Sequence, residues 1–238
     1  MKKTRPIASG ALPIPLAVFV SITGFILSLF ISANLSFFFF LICLAYLVIH
    51  ILYSLFLKTV PILDVLAIAS GFILRVWAGA VVINTHISIW LLLCVTSFSL
   101  FLAVGKRRSE LTLLKGILAG RHRPVLFSYP EKLLDLYISM FANTTWLTYT
   151  LFTFLEPIVE PRERILVLMS DLPLAFRSRK WLMITVPLVI YGVMRYLQLI
   201  YQKNEGEIPA KVITSDKPLL ITIILWGFIV IGVIYGLG

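Results

Sequence analysis

The stretch that decides how this chain is built reads ISIWLLLCVTSFSLFLAV at 87–104, followed by GKRRSEL at 105–111. Eighteen residues without a charge are long enough to cross the hydrocarbon core of a bilayer as a helix. Where that run ends, three adjacent cations, Lys106, Arg107 and Arg108, are followed by the carboxylate Glu110. Two readings stand side by side. One is the ordinary basic flank of a membrane helix. The other is a helix mouth that holds a highly anionic ligand close to the membrane.

Working outward, similar apolar runs recur at about 12–33, 36–57, 62–83, 134–156, 181–201 and 218–237, which makes seven expected spans. Hydrophobic residues make up 60% of the chain, charged residues 13%, and the mean hydropathy is +0.99. A soluble domain would carry about 25% charge. Only helices and closed barrels satisfy the backbone in lipid, and these runs far exceed the length of a barrel strand. The expected fold is therefore all-α: a polytopic helical membrane bundle, one transmembrane domain over 1–238. The basic start, Met1 to Pro6, leads into a run of spanning length, so no cleaved signal is expected.

The net charge of +10 follows the positive-inside bias and is not a signal for nucleic acid. The stub, Lys58, the 105–133 segment and the 202–217 segment hold fourteen Lys and Arg, against five in 157–180. This places the N-terminus in the cytoplasm and the C-terminus outside, in a cell (inner) membrane. Arg177, Arg179 and Lys180 run against that assignment. A short interfacial helix is expected between Glu156 and Pro173. Cys43 and Cys94 lie in apolar runs and report nothing on redox compartment, and the three histidines lack metal-ligand spacing.

Two charges fall inside an apolar run. Asp64 and Arg75 are eleven residues apart on the third span, which on a helix is about three turns and about 16 Å. Both therefore share one face. A charge at membrane depth costs several kcal/mol unless it meets a partner or a polar cavity, so this face is expected to look into an enclosed polar cavity. For Asp64, near the start of the span, a helix-start carboxylate on the dipole explains it equally well. Tyr53 and Lys58 close the second span, while Arg121, Arg123 and Tyr129 follow the fourth. With Lys3 and Arg5, several helix mouths supply cations to one membrane surface. Arg suits bidentate phosphate contact and Lys a point charge.

These residues carry a resemblance. Lys3-Thr4-Arg5-Pro6-Ile7-Ala8-Ser9-Gly10 resembles the tail of the first signature of the UbiA superfamily of intramembrane prenyltransferases, where N-D-x-x-D-x-x-x-D precedes a basic stretch and R-P-I-A-S-G. Tyr53 to Lys58 followed by Asp64 is similar to that family's third and fourth elements. At Gly105 to Glu110 a Lys-Arg-Arg-x-Glu run stands in place of its second acidic motif, D-x-x-x-D. That departure is similar to one branch, the decaprenyl-phosphate phosphoribosyltransferases. Arg123-Pro124-Val125-Leu126, Tyr129, Arg195-Tyr196, Gly206-Glu207-Ile208-Pro209 and Asp216-Lys217-Pro218-Leu219 point the same way.

The resemblance implies a transferase with Mg²⁺ as cofactor and with phosphoribosyl diphosphate and a polyprenyl phosphate as substrates. Asp64 and Glu110 would be catalytic or metal-holding. Lys3, Arg5, Tyr53, Lys58, Arg75, Lys106, Arg107, Arg108, Arg123 and Tyr129 would bind substrate. The acidic run expected just before Lys2 is not in this chain, and family members have nine spans. The resemblance thus implies two further helices ahead of it, without which the main metal site is missing. Two alternatives stay open: a prenyltransferase attaching an isoprenoid chain to a small acceptor, and an inactive membrane fragment that binds anionic lipid.

Overall fold

The computed structural model describes residues 9–115, 129–156, 180–203 and 209–237. All regular structure among them is helical: α1 (Ile14–Leu35), α2 (Phe37–Leu55), α3 (Leu63–Val82), α4 (Ile89–Lys115), α5 (Glu131–Leu155), α6 (Val186–Lys203), α7 (Pro209–Ser215) and α8 (Lys217–Leu237). Among the described residues, six stretches are long and apolar enough to cross a membrane: Ile14–Leu35, Phe37–Leu55, Leu63–Val82, Ile89–Thr112, Trp181–Gln202 and Lys217–Tyr235. The chain is a multi-pass membrane protein.

The seventh expected span, α5, has the length at 25 residues but lies outside that set. Asn143 and a run of threonines dilute its apolarity. Thr145 and Thr148 are buried and return their hydroxyls to the carbonyls of Phe141 and Thr144, each at 2.7 Å. A helix screened from lipid by its neighbours tolerates such residues, because each hydroxyl finds an acceptor one turn back.

Sequence punctuation sets the helix ends. Ser36 alone, in extended backbone, separates α1 from α2. Asn84 takes a left-handed φ of 49° at the end of α3, where Thr85 and Asn84 donate to the carbonyls of Ala80 and Val81. Asparagine tolerates that conformation, and the paired bonds close the helix. The start of α3 is different. Ile62 sits at φ 68°, with the Leu63 N–H bonded to the Pro61 carbonyl at 2.8 Å. A β-branched residue in this tight three-residue turn is strained by about 1–3 kcal/mol.

The apolar run ends at Val104, but α4 continues through the basic run to Lys115. Beyond Gly105 no breaker interrupts a series of helix-compatible residues. Gly105 itself lets α6 approach: a Cβ there would lie 2.8 Å from Ile200 Cδ1.

Packing divides the structure into two compact units. One comprises the chain up to Leu52 with Leu74–His86, where Phe25, Leu29, Phe39, Tyr46 and Arg75 help line a cleft of about 340 Å³. The other comprises Tyr53–Ile73 and everything from Ile87 onward. Its centre is the long α4–α5 contact, around the buried Phe101, Val104, Leu134, Ile138, Leu199 and Ile200. Lipid is as apolar as leucine, so close packing rather than water exclusion holds such helices together. Ala103, Gly105 and Ala142 provide the close approach.

Candidate active site

Arg107 is the centre of the site. It projects from the part of α4 that extends past the apolar run and is completely buried. Its Nε donates to Asp64 Oδ2 at 2.6 Å, Nη1 to Glu110 Oε2 at 2.7 Å, and Nη2 to the Tyr53 hydroxyl at 3.2 Å. Asp64, in the first turn of α3, is equally buried and receives the Tyr129 hydroxyl on Oδ1 at 2.7 Å. That hydroxyl also accepts the N–H of Ile62. Residues 43 and 65 positions apart thus meet on one carboxylate. Burial pushes the Tyr129 phenol up to about 12, the Ile62 N–H works against this, and donation to the Asp64 carboxylate adds to it.

A buried charge is tolerated when it is paired and its hydrogen-bonding groups are filled. Here one guanidinium, with five N–H donors, pairs with two carboxylates, one formal positive charge against two negative. Both oxygens of Asp64 face protein donors, so it is less an open acid than a fixed anchor for Arg107.

The neighbouring cations take different positions. Arg108 turns to α5 and α6. Its Nε donates to Asp135 Oδ1 at 3.1 Å and Nη1 to Thr112 Oγ1 at 2.8 Å, and the guanidinium lies 4.5 Å from the ring centre of Tyr201. Tyr201 donates to the same Asp135 oxygen at 2.7 Å. Lys106 and Lys58 are half-buried and form no ion pair among the described residues. Arg195, beside the buried Tyr196, holds Asp216 through two nitrogens at 3.1 and 2.8 Å, and Asp216 caps α8 by accepting the Leu219 N–H.

The structure therefore brings together Tyr53, Asp64, Arg107, Glu110 and Tyr129 from the expected site. Arg75 belongs to the other compact unit, where it donates to Tyr46 and lies 5.2 Å from that ring's centre. Lys3, Arg5, Arg121, Arg123, the expected interfacial helix and the Arg177 to Arg179 run lie outside the described residues. Sequence reasoning missed Asp135 and Tyr201, which look like ordinary helix-face residues. Nothing local announced the strained Ile62 either.

Asp64 and Glu110 were the candidate metal ligands. No group of three or more His, Cys, Asp or Glu among the described residues is placed to hold a metal ion. The Arg107 guanidinium lies between the two carboxylates, with Nε on Asp64 and Nη1 on Glu110. With the guanidinium between them, these two carboxylates do not fit a metal.

No protein-family profile matches the chain. It is 29% identical over 229 residues to the decaprenyl-phosphate phosphoribosyltransferase of Mycolicibacterium smegmatis, covering 94% of this chain and 67% of that protein. The Corynebacterium glutamicum protein of the same name is 28% identical over 98% of this chain and 66% of its own length. The Mycobacterium tuberculosis counterpart is 31% identical over 157 residues, 64% of this chain and half of that protein. The chain thus spans about two thirds of the length of the first two relatives. Among solved structures, a UbiA homolog from Archaeoglobus fulgidus bound to Cd²⁺ superposes with a TM-score of 0.64 at 20% identity, over 98% of this chain and 78% of that one.

Proposed function

We propose that this chain, 28–29% identical to two decaprenyl-phosphate phosphoribosyltransferases, is a UbiA-superfamily enzyme that transfers a 5-phosphoribosyl group from phosphoribosyl diphosphate to a polyprenyl phosphate. The active site would lie at the cytoplasmic face of the cell membrane, with the N-terminus cytoplasmic and the C-terminus outside. A phosphate oxygen of the acceptor attacks the anomeric carbon of the ribose. The bond from that carbon to the diphosphate breaks, and the diphosphate leaves with the electron pair. The acceptor is already an anion, so positioning rather than proton removal is the main requirement.

The observation that carries this reading is the state of Asp64 and Glu110, both committed to Arg107. An enzyme ionising an allylic diphosphate uses open acidic motifs to hold metal on the leaving group. Here that place holds a buried guanidinium tied to both carboxylates, while Lys58 and Lys106 are half-buried cations with no ion pair among the described residues. Two phosphorylated substrates repel one another, and fixed cations offset that repulsion without reorganisation. Magnesium belongs to this proposal only as the companion of the donor's diphosphate, which binds it through its own oxygens. The names of the relatives support donor and acceptor alike.

The test is turnover by the purified full chain in lipid nanodiscs. With radiolabelled phosphoribosyl diphosphate and a polyprenyl phosphate, label should move into the lipid fraction. Consumption of an allylic diphosphate with a small aromatic acceptor, and none of the ribosyl donor, would replace this reading with a prenyltransferase.

A further inference from the structure

Tyr129 bridges two unusual features of the site and is closed off from solvent. It is 3% exposed. Its hydroxyl accepts the N–H of Ile62, the residue held at φ 68°, and donates to Oδ1 of Asp64, two residues further on. Only a hydroxyl combines both roles, since it carries one donor and two acceptor lone pairs. The strained turn and the buried carboxylate are thus tied to one atom that arrives from just before α5. Strain of this kind persists only where the surroundings over-determine it. Here the Tyr129 bond and the Leu63 N–H to Pro61 carbonyl bond do so.

We propose that Tyr129 is a positioning residue. It latches Ile62 in the strained turn, so that the first turn of α3 presents Asp64 Oδ2 to Arg107 Nε and the buried guanidinium holds the α3 and α4 mouths, where the donor would bind, in one arrangement. This rests on the ribosyl-transfer reading for its kinetic effect, but the latch itself is independent of it. Without the hydroxyl, the turn relaxes toward negative φ. Asp64 then loses a donor and shifts, and Arg107 is no longer held in one orientation.

Three variants test this in the full chain: Tyr129→Phe, Ile62→Gly and the double variant. Glycine adopts positive φ without strain, so it keeps the turn without the latch. Tyr129→Phe should raise the KM for phosphoribosyl diphosphate about 10–100-fold, the usual effect of removing a residue that orients a site group, while leaving the KM for polyprenyl phosphate unchanged. Ile62→Gly should behave as wild type, and the double variant should recover most of the loss. Hydrogen exchange at the Ile62 and Leu63 amides, followed by mass spectrometry, should accelerate in Tyr129→Phe and need not involve any substrate. Unchanged exchange there would overturn the latch. So would a loss that affects both substrates alike and is not rescued by Ile62→Gly, which is the signature of general destabilisation. If wild type transfers no ribosyl group, the function proposal falls, and the exchange comparison still decides the latch.

Discussion

Replacing Arg107 by Met is the most informative perturbation of the buried cluster. Met fills much of the same volume but leaves Asp64 and Glu110, which now share one guanidinium, as carboxylates without their cation. Removing one partner of a buried pair costs about 3–5 kcal/mol. For a protein of this size, 1 kcal/mol shifts the melting temperature by roughly 2–4 °C. The expected drop is then about 6–20 °C. The assay follows from the cysteines: Cys94 is buried, so a thiol-reactive fluorophore reports its exposure as the detergent-solubilised protein unfolds. Lys106→Met on the same helix is the control, since Lys106 is half-buried and has no ion pair among the described residues, and it should shift by no more than about 2 °C. The double variant Asp64→Leu with Arg107→Met removes both charges of the closest pair. It should recover at least half of the loss, because an apolar pair of similar volume often replaces a buried ion pair without cost. Equal shifts for Arg107→Met and Lys106→Met would refute the reasoning.

Further outcomes follow from other contacts. Gly105→Leu should lower stability by about 1–3 kcal/mol through overpacking against Ile200, whereas Gly105→Ala should cost less, because only the flexible tip of Ile200 must move; thermal unfolding compares them. Asp216→Ala removes the cap of α8 and should cost about 1–2 kcal/mol, with Asp216→Asn in between, by the same assay. The raised Tyr129 value means that the protonated phenol stabilises the fold below about pH 10 and that this contribution is lost as pH rises to about 12. The stability difference between wild type and Tyr129→Phe should therefore shrink over that window. Cysteines introduced at Thr59 and Thr85, both exposed and at opposite ends of α3, should label from opposite sides of the membrane in a background lacking Cys43 and Cys94.

The membrane spans were legible because their signal is length and apolarity, which need no partner to be read. The exception teaches the limit. α5 hides its threonines against other helices and so falls short of the apolarity of a lone span, although its length and position were correctly expected. Helix ends were less legible. Asn84 is a recognisable stop, but Gly105 looks like one too and is instead a contact surface for Ile200. A glycine that ends a helix and one that lets two helices approach are the same letter. Only the neighbouring helix distinguishes them.

The site shows a similar division. For Asp64 two readings were open, a charge facing a partner or cavity and a carboxylate on the dipole of α3, and the structure pairs it with Arg107. Which partner it takes was not legible, since Arg107 is one of three adjacent cations that sequence cannot rank. A helix turns 100° per residue, so Lys106, Arg107 and Arg108 must face three directions and cannot act as one phosphate grip. The fold assigns them: Arg107 inward to two carboxylates, Arg108 to Asp135 and Tyr201, and Lys106 to neither. A run that reads as a block of charge is thus three separate devices. The residue with the most buried contacts of the three is the one whose loss should first be felt as instability. If ribosyl transfer is the reaction, Lys106→Gln should then weaken donor binding while leaving the melting temperature in place, the opposite profile to Arg107→Met. A Lys106→Gln variant with wild-type donor KM would show that Lys106 does not contact the donor, and the phosphate grip would have to be built from other mouths.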